Sequence, residues 1–236
     1  MDRQIYPPVV FPFLFFLLLF GLFFFLIFAS AVNAVFTTLG LPSWSAYLLF
    51  FLSLAGSFIN IPVKDVIVEV EEVRYAVDTF FGRLYPSRIV EPASRRTTIA
   101  VNLGGAIIPV VVASYVLAEK IYGWPSFLLA SVIMIVVCHV FSRIVPGVGI
   151  VMPNLIPPVS ACLIAVFTSL LFGCMELAPL AAYFSGVMGT LVGADLMNLG
   201  KISRLGARMV SIGGAGTFDG IFITGIFSVI LTVILV

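Results

Sequence analysis

The sequence predicts an all-α integral membrane protein of about seven transmembrane helices. Three observations predict it. Of the 236 residues, 61% are hydrophobic and only 10% are charged. A soluble domain carries about 25% charged residues. Mean hydropathy is +1.22, and a water-soluble chain of this size cannot hide so much apolar surface behind one core. The apolar residues also fall into separated runs near the ~20 residues needed to cross the hydrocarbon core.

Seven candidate spans follow in order: Val9–Val32, Ser45–Ile61, Ile99–Leu117, Ser126–Phe141, Pro158–Gly173, Leu177–Leu199 and Asp219–Val236. The first is too long for the apolar core of a signal peptide, and no clean basic region precedes it, so it reads as a retained helix. The chain then forms a single polytopic domain, 1–236. Between the fourth and fifth spans lies Pro146-Gly-Val-Gly-Ile-Val-Met-Pro-Asn-Leu-Ile-Pro-Pro158. Four prolines and two glycines cannot sustain a regular helix, so this stretch is expected to be re-entrant or interfacial.

One segment breaks the apolar pattern. Residues 63–98 carry most of the charge and form an insertion between the second and third spans. Val66, Val68 and Val70 alternate with Ile67, Glu69 and Glu71, which predicts a strand. Val73–Phe81 reads as a second, and the two predict a small hairpin outside the membrane.

Charge sets the expected orientation. With the amino terminus cytoplasmic, Arg3 and the loops 62–98, 142–157 and 200–218 hold eleven of the twelve basic residues. Only Lys120 falls outside. The positive-inside rule predicts this bias and places the carboxyl terminus outside, in a multi-pass protein of a cell membrane.

Net charge is +1, so bulk charge points to no nucleic-acid partner. Membrane lipids are the expected surroundings, and transmembrane peptides are candidate substrates; oligomeric state is not legible. Cys138, Cys162 and Cys174 lack paired metal-ligand spacing and read as packing residues. His139 is the only histidine, which excludes a multi-histidine metal site. No cofactor and no metal are expected.

Two of the eleven acidic residues stand apart. Asp195 lies in Leu191-Val-Gly-Ala-Asp-Leu-Met-Asn-Leu-Gly200, and Asp219 opens the seventh span after Gly213-Gly-Ala-Gly-Thr-Phe218. A carboxylate at the bilayer centre costs about 2.5–3.5 kcal/mol on insertion scales and marks a functional site by default. On adjacent antiparallel helices the two would approach at similar depth. Two close carboxylates in low dielectric cannot both ionise easily, and a shared proton is the state that activates water in an aspartic dyad. The plainer alternatives are a helix cap for Asp219 and a packing hydrogen bond for Asp195.

Glycine surrounds both acids. Ser185, Gly189 and Gly193 make a small-residue face suited to close helix packing. Gly193, Gly214, Gly216, Thr217 and Gly220 are candidate binding positions beside the dyad. Asn102 and Pro109, in Asn102-Leu-Gly-Gly-Ala-Ile-Ile-Pro109, interrupt the third span and are candidates as well, or else mark a packing kink.

The runs Val101–Pro109, Pro146–Ile150, Gly193–Leu196 and Gly213–Phe222 resemble an uncharacterised prokaryotic membrane-protein family, a domain of unknown function, over roughly residues 50 to 236. More distantly, the chain is similar to the presenilin and signal-peptide-peptidase class of intramembrane aspartyl proteases. That class places one catalytic aspartate on the sixth helix and one on the seventh. The similarity implies catalytic roles for Asp195 and Asp219. Ala194 stands where the class carries Tyr, and Phe218 precedes Asp219 where the class carries Gly. Two other functions use the same residues: a proton- or cation-coupled transporter or channel, and a Mg²⁺-dependent enzyme acting on lipid phosphates beside Lys201, Arg204 and Arg208.

Overall fold

The computed structural model describes residues 10–80, 83–145, 149–205, 207–214 and 220–236. The chain divides into two compact units, residues 1–51 and 52–236.

In the first unit, α1 (Val10–Thr38) is the long apolar helix expected from the first run. It ends for an identifiable reason. Gly40 adopts φ +92°, its N–H bonds the carbonyl of Thr37, and the Leu41 N–H bonds that of Phe36. This left-handed turn satisfies the last carbonyls, and glycine adopts it without a Cβ penalty. Pro42 then separates α1 from α2 (Ser43–Gly56). Phe25 and Phe28 pack on Phe50, with ring centroids 5.8 and 5.9 Å apart.

The second unit combines helices with a three-stranded sheet. The hairpin exists, but its strands differ from the expected ones. β1 runs from Asn60 to Phe80 and pairs antiparallel with β2, Arg83–Asn102. The run Val66–Glu71 and the run expected at Val73–Phe81, as far as Phe80, therefore lie on one strand; Phe81 is outside the described residues. The alternation passes through residue 72 with no Gly, Pro or Asn to turn the chain. Pro86 and Pro92 stand in β2 where β1 flanks it on one side only, the placement that a residue without an N–H requires. A short third strand, β5 (Met209–Ile212), pairs parallel with Thr98–Val101.

Residues 99–102, expected to open the third helix, belong to β2. The β-branched run Thr97-Thr-Ile99 and Val101 suits a strand held on both sides. The helix begins only at a π turn, Leu103–Ile107, followed by α3 (Ile108–Glu119). Pro109 sits in the first turn of α3, where its missing N–H costs nothing, so it starts a helix instead of breaking one.

Then come α4 (Trp124–Phe141), a small hairpin of β3 (Arg143–Val145) and β4 (Gly149–Val151), α5 (Ile156–Leu171), α6 (Ala178–Gly189) and α7 (Gly220–Leu235). Of the Pro/Gly-rich stretch, residues 146–148 lie outside the described residues, Gly149–Val151 forms β4, and the end falls in the first turn of α5, whose Pro157 and Pro158 are buried. Helix α6 occupies the centre, packed by α3, α4, α5 and α7. Its small residues make this possible. A Cβ on Gly186 would lie 3.2 Å from Thr224 of α7, and one on Gly225 would lie 3.0 Å from Tyr183. A Cβ on Gly189 would lie 2.5 Å from that of Met134, and one on Gly193 would strike the carbonyl of Ile135. The Gly189/Gly193 face therefore serves α4, and the approach of α6 to α7 uses Gly186 and Gly225.

Among the described residues, three helical segments are long and apolar enough to cross a membrane: Phe11–Thr38, Ile121–Phe141 and Met175–Lys201. The other four apolar helices, Ser43–Gly56, Leu103–Glu119, Ile156–Leu171 and Gly220–Leu235, are shorter. Of the seven spans expected from the sequence, only these three have the length to cross a membrane; 14 residues of helix cover only about 21 Å.

Candidate functional site

The sixth apolar run is not one regular helix. After Gly189 the backbone widens into a π segment, Thr190–Asp195, then tightens into 3₁₀ geometry over Leu196–Leu205. Lys201 lies outside helical angles at φ −106°, ψ 16°. π segments recur at functional positions because the extra residue redirects a side chain. Asp195 ends this segment and is half-buried.

The carboxylate is tied to the sheet. Asp195 Oδ2 accepts the backbone N–H of Gly213 at 3.3 Å. Gly213 follows β5 with φ +71° and lies against the π turn before α3; a Cβ there would sit 2.6 Å from that of Ala106. The turn is itself fixed by Asn102. Its Oδ1 accepts from Gly105 N at 2.8 Å, and its Nδ2 donates to Ser57 O at 2.7 Å and Asn60 Oδ1 at 3.0 Å. Ser211 donates to the same Asn60 oxygen.

On its other side Asp195 faces a cavity of about 420 Å³. Ile150 to Asn154 and Pro157 form one wall; Thr190, Ala194 and Asp195 form the second; Gly220, Ile223 and Thr224 form the third. The breaker-rich stretch, the π segment and the first turn of α7 thus meet around one space. Residues 190–195 meet 220–224, while Tyr183 and Val187 meet Gly225, so α6 and α7 are antiparallel.

Behind the cavity, polar groups secure the helix. His139 Nδ1 lies 3.2 Å from Gly193 O; a carbonyl only accepts, so Nδ1 carries the proton of that bond. Asn198 Nδ2 donates to Ala194 O and Ser142 Oγ, both at 2.8 Å, and Lys201 Nζ donates to Asn198 Oδ1 at 2.8 Å. The three cysteines are free and buried, and Cys138 packs with Met134, Ala161 and Ala194.

The expected site residues therefore separate. Asp195 and Gly220 line the cavity. Gly193 packs on α4, and Gly214 lies against Ser211. Asn102 is a fully buried cap, and Pro109 is buried in α3. Asp219, Gly216 and Thr217 lie outside the described residues. Sequence reading missed Asn154, Thr190 and Thr224. Their one signal was polarity inside apolar runs, which Ser and Thr share throughout this chain. No cluster of three or more His, Cys, Asp and Glu able to hold a metal occurs among the described residues.

Residues 54–231 match the family described as a protein of unknown function (DUF1614), and the chain belongs to that family. No curated protein and no solved structure matches the chain. The family carries no assigned activity, and the comparisons support no similarity to intramembrane aspartyl proteases.

Proposed function

We propose that this member of the DUF1614 family is an intramembrane aspartyl hydrolase that cleaves peptide bonds of transmembrane segments. One observation carries the reading: a single cavity is lined by Asp195 and by Gly220, the residue that Asp219 immediately precedes.

The chemistry follows from two carboxyl groups sharing one proton. The ionised one takes a proton from water as its oxygen attacks the scissile carbonyl. The protonated one gives its proton to the carbonyl oxygen. The tetrahedral intermediate then collapses, and the departing amine takes a proton back. The Gly213 N–H holds one oxygen of Asp195 in place. Thr190, Thr224 and Asn154 offer hydroxyl and amide groups on the cavity wall for the peptide backbone.

The test is cleavage of a labelled transmembrane peptide by the full chain in detergent micelles. Wild type should cleave it, and Asp195→Asn and Asp219→Asn should each abolish cleavage while keeping the wild-type unfolding temperature. Wild-type rates in both variants would sink the reading. A second reading, a proton-coupled carrier, is favoured by the break in the helix at Asp195, because interrupted helices mark carrier sites. Proton uptake into liposomes that is lost in Asp195→Asn, without peptide cleavage by wild type, would select it.

A further inference from the structure

A second cavity lies apart from Asp195, where the sheet meets the end of the 3₁₀ segment. It measures about 580 Å³ and lies between Val66–Glu69 and Ile99 of the sheet and Leu199–Gly200. Its apolar lining comes from Val66, Val68, Ile99 and Leu199.

Three basic residues belong to the segments that frame it. Lys64 is the register partner of Ile99, and directly opposed residues share a sheet face. The carbonyl of Arg208 accepts from Thr98 N at 3.0 Å, which fixes its backbone beside the same stretch of β2. Lys201 follows Gly200 on the opposite wall and spends one of its three N–H groups on Asn198. All three side chains are exposed. Asp65 lies on the other face of β1 and is engaged by Arg96, which leaves Glu69 as the acidic residue of the lining.

Depth decides the occupant. The apolar helical segment Met175–Lys201 ends at Lys201, so Leu199 and Gly200 stand at the level where a spanning helix leaves the hydrocarbon. β2 enters the apolar Leu103–Glu119 helix four residues beyond Ile99. Exposed apolar side chains belong to the same segments: Ile67, in the lining, is 80% exposed, and Met197, two residues before Leu199, 49%. Apolar surface framed by segments that carry three basic residues at that depth fits lipid, whose anionic headgroup is attracted to interfacial Lys and Arg.

We propose that this groove binds an anionic phospholipid, with acyl chain against Val68, Ile99 and Leu199 and phosphate held by Lys64, Lys201 and Arg208. The site is independent of Asp195 and stands whether or not the chain is a hydrolase. In the test, the full chain in a neutral detergent is titrated with phosphatidylglycerol and, separately, with phosphatidylcholine, and bound lipid is counted by native mass spectrometry. Phosphatidylglycerol should be retained in preference. Each of Lys64→Gln, Lys201→Gln and Arg208→Gln should weaken it about fivefold, the value of one interfacial charge. Lys120→Gln, the same charge change at the far end of α3, should leave it unaltered. Val68→Trp, which fills the groove and keeps every charge, should also weaken it. Unaltered retention by the triple glutamine variant would overturn the proposal. So would tighter binding of a soluble hexaglutamate peptide at the same three cations.

Discussion

Gly213 hands its backbone N–H to the carboxylate of Asp195 at 3.3 Å, so the end of strand β5 holds an acid within an apolar helix segment. The join depends on glycine. Gly213 has φ +71°, and an added methyl would lie 2.6 Å from that of Ala106 and 2.8 Å from its backbone nitrogen. Gly213→Ala should therefore destabilise the chain by about 2–4 kcal/mol, combining left-handed strain with overpacking. Thermal unfolding in detergent reads this, and an unaltered midpoint would contradict the geometry.

The glycines of the α6 region make a graded series. A Cβ on Gly193 would collide with the carbonyl of Ile135, and one on Gly189 would lie 2.5 Å from that of Met134. A Cβ on Gly200 would meet nothing within 4 Å. Gly193→Ala and Gly189→Ala should each cost about 1–3 kcal/mol by forcing α6 away from α4. Gly200→Ala should change stability by less than about 0.5 kcal/mol. Equal effects at the three positions would mean that α4 is not seated where these contacts place it.

Asn102 gives a third expectation. It is fully buried and makes three hydrogen bonds that join the sheet to the π turn. Asn102→Leu strands the Gly105 N–H and the Ser57 carbonyl, at about 1–3 kcal/mol for each unsatisfied group. Asn102→Asp keeps an acceptor for Gly105 but turns a carboxylate oxygen toward Asn60 Oδ1 and Ser57 O, which also only accept. Both variants should unfold at lower temperature, and a stable Asn102→Asp would show that the amide donor is dispensable.

Asn102 also shows where sequence reading stops. A buried asparagine before Gly-Gly reads equally well as a ligand position or as a cap, and only the position of Gly105 N decides. Membrane character and the helix positions were legible because apolar runs report burial in lipid directly. The hairpin was legible as alternation, but its turn was misplaced because the two short runs continue one another through residue 72 as a single long strand. The strand at Ile99–Asn102 was hidden because a β-branched apolar run fits a strand and a buried helix alike. Asp195 stood out because a lone acid in an apolar run is costly. Thr190, Thr224 and Asn154 did not, because their role arises only when three distant segments meet.

The exposed pair on the hairpin gives a pH-dependent expectation. Arg96 donates to Asp65 Oδ2, and the Thr98 hydroxyl donates to Oδ1 at 2.7 Å. The Arg96 hydrogen bond, followed by that from Thr98, holds the Asp65 carboxyl below its ordinary value of 3.8. A carboxyl lowered on folding contributes stability that is fully present above its unfolded value and lost as pH falls through its folded one. The β1–β2 pairing around Asp65 and Thr98 should therefore hold at neutral pH and loosen only below about pH 4. An NMR titration of the Asp65 carboxyl carbon should give a midpoint below 3.8 in wild type and a higher one in Arg96→Gln. Thr98→Val should produce a smaller rise, since the hydroxyl contributes less than the guanidinium. A wild-type midpoint at or above the ordinary value would mean that the pair does not persist in solution.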